Sequence, residues 1–182
     1  MIAVKPQDFK LLKNRNLDIT TELKWFLAGF IEGEGSLCVS VKRNPTSRFG
    51  FYIDPEFYIY QDVSGIAILE VAKRVFNSGN IHKKQGSENV YYFAITNRRS
   101  LREKVLPYFS KFVLPFTCKY QDFYDYVSIL DGLDSKKHYE LSGFLELLEI
   151  VYRLNPNSKG KDRNFTLDEL KTIILRDYTP NK

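Results

Sequence analysis

The chain has 182 residues, a formal charge of +5 and a pI near 9.1, and 43% of its residues are hydrophobic. This length suits one domain with its own core, and the composition excludes a disordered chain. The two cysteines lack metal-type or CxxC spacing and no apolar run approaches the roughly 20 residues of a membrane span, so we expect a soluble intracellular protein without a membrane partner.

Hydrophobic periodicity predicts an α+β fold of two helix–strand–strand units followed by more helices. In chain order we expect a helix at 20–35, strands at 36–42 and 51–60, a helix at 64–77, strands at 81–84 and 90–96, and helices at 97–106, 118–131, 137–154 and 166–177. Pro55 predicts a bend or bulge in the second strand. Gly79 is expected to close the helix at 64–77. Thr20 or Thr21 is expected to cap the first helix. Pro107 predicts the end of the helix that Asn97 caps, and Thr166 begins a capping box for the last helix.

The domain organisation is expected to be simple. Residues 1–19 form a polar arm, residues 20–131 the core, and residues 132–182 a helical extension of the same domain, with an exposed basic loop at 155–163. Aromatic residues make up 15% of this basic chain, so nucleic acid is the leading candidate partner. The alternative is a mild positive charge scattered over a solvated surface.

The segment at 26–35, Phe-Leu-Ala-Gly-Phe-Ile-Glu-Gly-Glu-Gly, carries the functional signal. Gly29 and Gly33 share one face of the predicted helix, where each costs about 1 kcal/mol relative to Ala, so they suit a close approach of two backbones. Glu34 in the last turn opposes the helix dipole by roughly 0.3–1 kcal/mol, and a cation is the simplest compensation. The alternative is a glycine-rich helix end with solvated acids. The complete segment before two strands and a basic turn favours the functional interpretation.

This segment resembles the signature of the LAGLIDADG homing endonucleases. The α-β-β-α-β-β-α order of residues 21–130 is also the core of that family, which carries a saddle-shaped antiparallel DNA-binding sheet. The phrases at 54–57 and 60–63 look like the branch encoded in group I introns of ribosomal RNA genes. A degenerate second copy at 141–149 has Leu148 at the catalytic position and Leu147 in place of a packing glycine. The resemblance therefore implies a single-signature homodimer with a pseudo-palindromic DNA target.

The resemblance also implies a catalytic site. Glu34, with Gly33 beside it, would hold Mg²⁺, which Mn²⁺ replaces and for which Ca²⁺ substitutes without supporting cleavage. Gln61 would position water or phosphate, although strict alternation puts it on the apolar face unless the strand twists. Lys119 is the candidate catalytic lysine, with a phosphate contact or a merely solvated lysine as the alternative.

The same resemblance implies two further surfaces. The dimer interface would consist of the small and apolar signature residues Leu27, Ala28, Gly29, Phe30 and Gly33. The DNA-binding residues would lie on the polar face of the sheet and its basic turn: Ser40, Lys42, Arg43, Arg48, Tyr52, Asp54, Glu56, Tyr58, Tyr60, His82, Lys84 and Tyr91. His82 is otherwise a plain surface histidine, and the tyrosines of the second strand could instead pack under the C-terminal helices.

The function expected from these residues is a metal-dependent double-strand break in DNA at an intron insertion site. The alternative is a non-cleaving binder on the same fold, either an RNA splicing cofactor that binds its own intron or a transcription regulator. Degenerate binders often lose the acid that this chain keeps at position 34. An unrelated αβ domain with a chance motif is the third possibility. By resemblance, the protein would act at the host genome in an organelle or in the archaeal cytoplasm.

Overall fold

Alternating helices and strands make up the computed structural model, which describes residues 18–154 and 165–177. The elements are helix α1 (Thr21–Glu34), strands β1 (Gly35–Arg43) and β2 (Phe51–Asp62), helix α2 (Ala67–Phe76), strands β3 (Asn80–Lys83) and β4 (Val90–Ile95), a helical stretch α3 at 98–113, and helices α4 (Tyr120–Asp134), α5 (Leu141–Leu154) and α6 (Leu167–Asp177). One antiparallel sheet contains all four strands in the order β1-β2-β4-β3. The predicted α+β order is confirmed. Most of the predicted arm and the loop at 155–163 lie outside the described residues.

Side-chain caps fix both helix starts that the sequence identified most clearly. The Thr20 hydroxyl accepts a hydrogen bond from the backbone N–H of Leu23 at 3.2 Å, which satisfies one of the orphan donors at the start of α1. The backbone N–H of Glu169 donates to the Thr166 hydroxyl, and the Glu169 carboxylate accepts from the N–H of Thr166. Both predicted caps are confirmed.

The end of α2 differs from the prediction. Asn77, in the left-handed conformation with φ of 43°, follows the helix directly and donates its N–H to the Arg74 carbonyl. Gly79 instead serves the turn into β3, with φ of +81°. A Cβ at Gly79 would lie 2.5 Å from the carbonyl oxygen of Ala94, so only glycine fits beside β4.

The predicted end of a helix at Pro107 is wrong. The helical stretch α3 continues to Val113, and the turns on either side of Pro107, Leu101–Val105 and Phe109–Val113, have π-helical geometry. Proline lacks an N–H and so cannot make one backbone hydrogen bond of this stretch, but the residues on both sides of it keep helical geometry. The chain therefore passes the proline without leaving the helix.

The pairing of β4 fixes which side chains share a face of the sheet. Residues directly opposite each other in antiparallel strands lie on the same face, and Phe57 pairs with Ile95 and Ile59 with Phe93. All four of these side chains are buried. β2 is assigned as a strand continuously through Pro55, and the bend predicted there stays a prediction.

The described residues fall into two compact units. Residues 18–36 and 57–118 form the first, residues 37–56, 119–154 and 165–177 the second. In the first unit, Phe57 packs edge-on against Phe76 and Phe109, with ring centroids 5.4 Å apart in both pairs. In the second, Phe49 lies 5.1 Å from Phe144, a residue of α5. The sequence-based boundaries at residues 20 and 132 stay predictions. No helix in the described ranges is long and apolar enough to cross a membrane.

Two ion pairs join the three C-terminal helices of the second unit. The buried carboxylate of Asp125 on α4 accepts two hydrogen bonds from Arg153 on α5, at 2.9 and 2.7 Å. Glu149 on α5 accepts from Lys171 on α6 at 2.6 Å. The hydrogen bonds from Arg153 lower the pKa of Asp125 from its usual value, and burial opposes that shift only in part.

We expect Asp125→Asn to lower the free energy of unfolding at neutral pH by about 1–3 kcal/mol, because it breaks a charge-assisted bidentate pair. The pKa of Asp125 is depressed in the folded state, so its contribution is present above the ordinary value near 3.9 and lost as the pH falls through the lower folded-state value. Urea unfolding of both proteins between neutral and acidic pH measures this difference. Asp177→Asn, which removes an exposed pair between adjacent residues, is the control and should change little. A difference that persists unchanged in acid would contradict the assignment.

Candidate functional site

One face of α1 is not covered by any other part of the chain that the structure describes. Phe26 is 64% exposed, and Gly29 and Gly33 are exposed on the same side of the helix. A Cβ added at either glycine would meet no other atom within 4 Å. Nothing in the described chain therefore requires glycine at these two positions, although each costs about 1 kcal/mol in a helix interior. A second molecule that approaches this face closely would explain both.

The opposite face of α1 corrects the predicted dimer interface. Leu27 is 0% exposed and Ala28 is 4% exposed, because they point with Ile31 into the core of their own unit. Leu27 thus has no surface left for a second chain, and Phe30 is only half-buried. Phe26, three residues before Gly29 on the open face, was missed. The i, i+3, i+7 spacing of positions 26, 29 and 33 is the signal that identifies it.

Glu34 is the last residue of α1, and β1 begins at the next residue. Its side chain is exposed. Gly35 makes this direct passage possible, since a Cβ there would lie 2.7 Å from both Cγ2 and the carbonyl oxygen of Ile31. The Gly35 N–H donates to that same carbonyl. The carboxylate is therefore presented at the junction between the open helix face and the sheet.

A single chain does not complete a metal site around Glu34. Across residues 18–154 and 165–177, no group of three or more His, Cys, Asp or Glu residues could hold a metal ion. Divalent magnesium prefers several oxygen ligands, usually carboxylates together with water and substrate phosphate. One exposed carboxylate at the end of an open helix face fits such an ion only when a second carboxylate is brought to it. Gly33 offers no side chain, so its contribution would be its carbonyl oxygen.

Gln61 lies on the apolar face of β2. It is directly opposite Tyr91 in the unbroken register with β4, so no bulge moves it to the other face. Its side-chain oxygen accepts from the N–H of Asp62 at 2.7 Å. The amide packs over Gly65, where an added Cβ would lie 2.7 Å from the Gln61 Cδ. Gln61 therefore lies on the apolar face, as strict alternation predicted. The turn Val63–Gly65 holds its side chain at the end of the strand.

Lys119 belongs to the second unit and immediately precedes α4. It is exposed, and its carbonyl accepts from the N–H of Phe123 at the first turn. Burial and the charge of Asp125 raise the pKa of Asp122, and the charge of Lys119 offsets this rise only in part. Its catalytic role stays a prediction.

The polar face of β1 and β2 in the second unit is organised around Lys42. The Lys42 ammonium donates to Asp54 at 2.5 Å and to Glu56 at 3.1 Å, and the Ser40 hydroxyl donates to Glu56 at 3.4 Å. Burial alone would lower the pKa of Lys42, but the two carboxylates outweigh it and raise the pKa above its ordinary value. Lys42 is therefore a permanent cation in this cluster.

Glu56 differs from its predicted role. It is 8% exposed and paired with Lys42, so its carboxylate does not face solvent as a free base-reading group. The Tyr126 hydroxyl donates to its backbone carbonyl at 3.3 Å, which covers the residue further. The alternation rule placed Glu56 on the correct face of β2, but it does not register burial by a neighbouring helix. The Cys38 thiol donates to the same backbone carbonyl of Glu56, and burial raises the pKa of this thiol to about 12.

The basic turn between β1 and β2 keeps its cations at the surface. The turn is closed by a hydrogen bond from the Asn44 N–H to the Gly50 carbonyl at 2.8 Å. Arg43 and Arg48 are exposed, and Arg48 lies over the ring of Phe49, a buried residue. Tyr52, at the start of β2, is 39% exposed.

An aromatic cluster covers the polar face of the sheet in the first unit. Tyr92 on β4 lies opposite both Tyr60 on β2 and His82 on β3, so the three side chains share a face. Its ring centroid is 5.5 Å from those of Tyr58 and Tyr60 and 5.3 Å from that of His82. The ammonium of Lys84 lies 5.4 Å from the Tyr60 ring centroid. We call Tyr58, Tyr60, His82, Lys84 and Tyr92 the Tyr92 cluster.

Tyr91 was predicted to lie on the DNA-binding face of the sheet, and it lies on the opposite face. Tyr91 pairs with Gln61 and Lys83, on the side of the sheet that buries Phe93. Both faces of β4 are apolar in sequence, so alternation could not decide between Tyr91 and Tyr92. The strand register decides in favour of Tyr92.

Comparison with known proteins agrees with this architecture. The family model described as LAGLIDADG endonuclease matches residues 27–130. The DNA endonuclease I-CeuI of Chlamydomonas moewusii is 39% identical over 93% of this chain and 79% of its own length. The structure of the group I intron-encoded homing endonuclease I-CeuI complexed with DNA superimposes with a TM-score of 0.85, at 32% identity, over 91% of this chain and 82% of that one. An archaeal intron-encoded homing endonuclease, I-Vdi141I, also complexed with DNA, superimposes with a TM-score of 0.75 at 29% identity, over 84% of this chain and 94% of that one.

The chain belongs to the LAGLIDADG endonuclease family. It is a DNA endonuclease of the homing type, and the resemblance seen in its signature is confirmed. Enzymes of this family use divalent metal ions.

Proposed function

We propose that this endonuclease works as a homodimer and makes a double-strand break at a pseudo-palindromic intron insertion site. The observation that carries the proposal is the open face of α1, on which two glycines without steric need lead to the exposed carboxylate of Glu34. Pairing of two such faces places two copies of Glu34 at one end of the helix pair. Two-fold symmetry of the protein then demands approximate two-fold symmetry of the DNA.

The metal is proposed to be Mg²⁺, held by Glu34 from both chains together with phosphate oxygens of the DNA. When bound, such an ion supplies charge stabilisation at the scissile phosphate and lowers the pKa of an associated water. We expect Mn²⁺ to support cleavage and Ca²⁺ to support binding alone. Gln61 would hold the attacking water or a phosphate oxygen through its amide, and Lys119 would contact phosphate.

The DNA-binding surface is proposed to be the polar face of the sheet and its basic turn. Glu56 is buried and Tyr91 lies on the opposite face, so neither is included. The proposed members are exposed or half-buried: Ser40, Lys42, Arg43, Arg48, Tyr52, Asp54, Tyr58, Tyr60, His82 and Lys84. Phosphate contacts from the cations would give a steep salt dependence. Recognition of base edges would come from the strands, which enter the major groove as ribbons. An organellar or archaeal location stays a prediction.

Cleavage of intronless ribosomal-gene DNA by the purified protein tests the proposal. We expect cuts on both strands at one site in Mg²⁺, binding without cleavage in Ca²⁺, and a dimer by sedimentation. Specific binding of DNA in Ca²⁺ without any cut in Mg²⁺ or Mn²⁺ would overturn the catalytic part. Specific binding of the intron RNA, with no cut in DNA, would instead support the splicing-cofactor alternative.

Glu56→Gln is expected to tighten binding to random-sequence duplex DNA several-fold and to steepen the dependence of log Kd on log salt by up to about 1. The change removes one of the two carboxylates that hold Lys42, whereas Asp54 remains in place. Fluorescence anisotropy over a range of KCl concentrations measures both quantities. Glu146→Gln is the control, because it removes the same charge from α5, where Glu146 forms an exposed pair with Lys137. Equal salt slopes for the two variants would show that Lys42 does not contact phosphate.

A further inference from the structure

The Tyr92 cluster is a layer of four rings, with the single cation Lys84 beside the Tyr60 ring, where a sheet usually carries polar side chains. Antiparallel sheets typically bury one face and solvate the other. Here the buried face holds Phe57, Ile59 and Phe93, each 0% exposed, and so the first unit already has its core. The rings of Tyr58, Tyr60 and Tyr92 are half-buried on the opposite face and His82 is exposed. This second aromatic layer therefore faces outward without filling the core of its unit.

The size of the cluster fits the groove that the proposed function requires. Its four rings come from β2, β4 and β3, which are three neighbouring strands, and Lys84 directly follows β3. With strands about 4.8 Å apart, the layer is roughly 10 Å wide, and the major groove of B-DNA is about 12 Å wide. The ring of Tyr92 occupies the centre, because β4 is the middle strand of the three.

The chemistry of the cluster selects one kind of base edge. None of its five side chains is a carboxylate, an amide or a guanidinium, and only Lys84, beside the Tyr60 ring, is of a type that reads guanine. The side chains next to Tyr92 are all rings. Apolar ring surface instead matches the C5-methyl group of thymine, the apolar feature in the major groove. The group around Lys42 on the second unit differs, because its ammonium is paired with two carboxylates and not with rings.

We propose that the Tyr92 cluster reads thymine through its C5-methyl group, with Tyr92 as the central specificity-determining residue. This inference rests on the proposed function in one respect, the binding of duplex DNA by this face of the sheet. It adds a residue and a base identity to that function. Contact is made by ring carbon atoms, so the Tyr92 hydroxyl is not required for it.

Deoxyuridine, which differs from thymidine only in lacking this methyl group, provides the test. Duplexes are enriched by wild-type protein from a random-sequence pool in Ca²⁺, and each thymine is then replaced singly by deoxyuridine. Burial of one methyl group corresponds to about a three- to fivefold change in affinity. We expect that loss for wild type at a small group of neighbouring positions, and no loss elsewhere.

Variants at positions 91 and 92 identify the residue that contacts the methyl group. Tyr92→Phe keeps the ring and should respond to deoxyuridine as wild type does. Tyr92→Ala should bind the thymine duplex several-fold less tightly and no longer respond. Tyr91→Ala is the matched control, because Tyr91 lies on the same strand and the opposite face, and it should keep the response. Thermal unfolding of every variant checks that the fold is retained.

Three results would overturn the inference. Wild-type affinity that is unchanged by deoxyuridine at every position rules out methyl recognition, as does enrichment of duplexes without thymine. Equal competition by single-stranded DNA of the same sequence would show that the rings stack on unpaired bases instead. Each is a binding result, whereas failure of the proposed function is the absence of a cut in Mg²⁺, so the two failures are distinguishable.

Discussion

Glu34→Gln should abolish DNA cleavage, with a loss of at least about 10³-fold, while binding of the target in Ca²⁺ stays within a few-fold of wild type. Loss of a metal ligand removes several kcal/mol of transition-state stabilisation, and each 1.36 kcal/mol is tenfold in rate. The amide has nearly the shape of the carboxylate but no charge. Glu34 is exposed and ends its helix, so the substitution does not disturb a packed core. Single-turnover cleavage and anisotropy measure the two effects.

Glu32→Gln is the matched control, because it removes the same charge from the same turn of α1 and projects in another direction. We expect it to keep cleavage within a few-fold of wild type. Equal cleavage by Glu34→Gln and wild type would remove Glu34 from the metal site. A Glu34→Gln protein that fails to bind DNA would assign the residue a structural role instead.

Gly29→Leu should convert the dimer into a folded monomer and reduce cleavage at nanomolar protein by at least about 100-fold. A Cβ at Gly29 meets no atom of the described residues within 4 Å, and the position is exposed, so the isolated fold is expected to accommodate leucine there. In the proposed dimer the same side chain occupies the space of the facing helix, where overpacking costs about 1–3 kcal/mol or more for each copy. Sedimentation velocity and the concentration dependence of cleavage measure the change.

Gly29→Ala is a smaller change at the same position, and it should stabilise the fold of the monomer while it weakens the dimer. Alanine should stabilise the helix of the monomer by about 1 kcal/mol, since glycine is unfavourable in a helix interior. It should nevertheless weaken the dimer. Gly132→Ala on α4 is the contrasting substitution, because its Cβ would lie 2.5 Å from Leu147 and should destabilise the fold without touching the open face of α1. A Gly29→Leu protein that stays dimeric and active would place the interface elsewhere.

Local rules predicted those parts of the fold that depend on neighbours in sequence. The caps at Thr20 and Thr166 involve residues three apart, and both are present in the structure. The continuation of α3 through Pro107 escaped prediction because it depends on π-helical turns, in which hydrogen bonds reach one residue further. The end of α2 at Asn77 rather than Gly79 shows the same limit, since Gly79 is required by contact with β4.

In the candidate site, too, the residues that depend on neighbours in sequence were predicted, and those that depend on long-range contacts were not. Glu34 and the two open glycines follow from the signature, because its ten residues are contiguous. Tyr92 depends on the register between strands that are far apart in sequence, and the apolar character of both faces of β4 concealed it. Glu56 was assigned to the correct face and to the wrong environment, because its burial comes from long-range contacts such as that with Tyr126.

The absence of any linker between α1 and β1 limits how this nuclease can acquire new targets. Strand β1 starts one residue after Glu34, and Gly35 leaves no room for a larger side chain. An inserted residue would exchange the two faces of the strand and displace all its side chains at once. If β1 contacts DNA as proposed, the spacing between the scissile phosphates and the first base pairs that it contacts would therefore be inherited with the signature. Only the identity of those base pairs would be free to change, one side chain at a time.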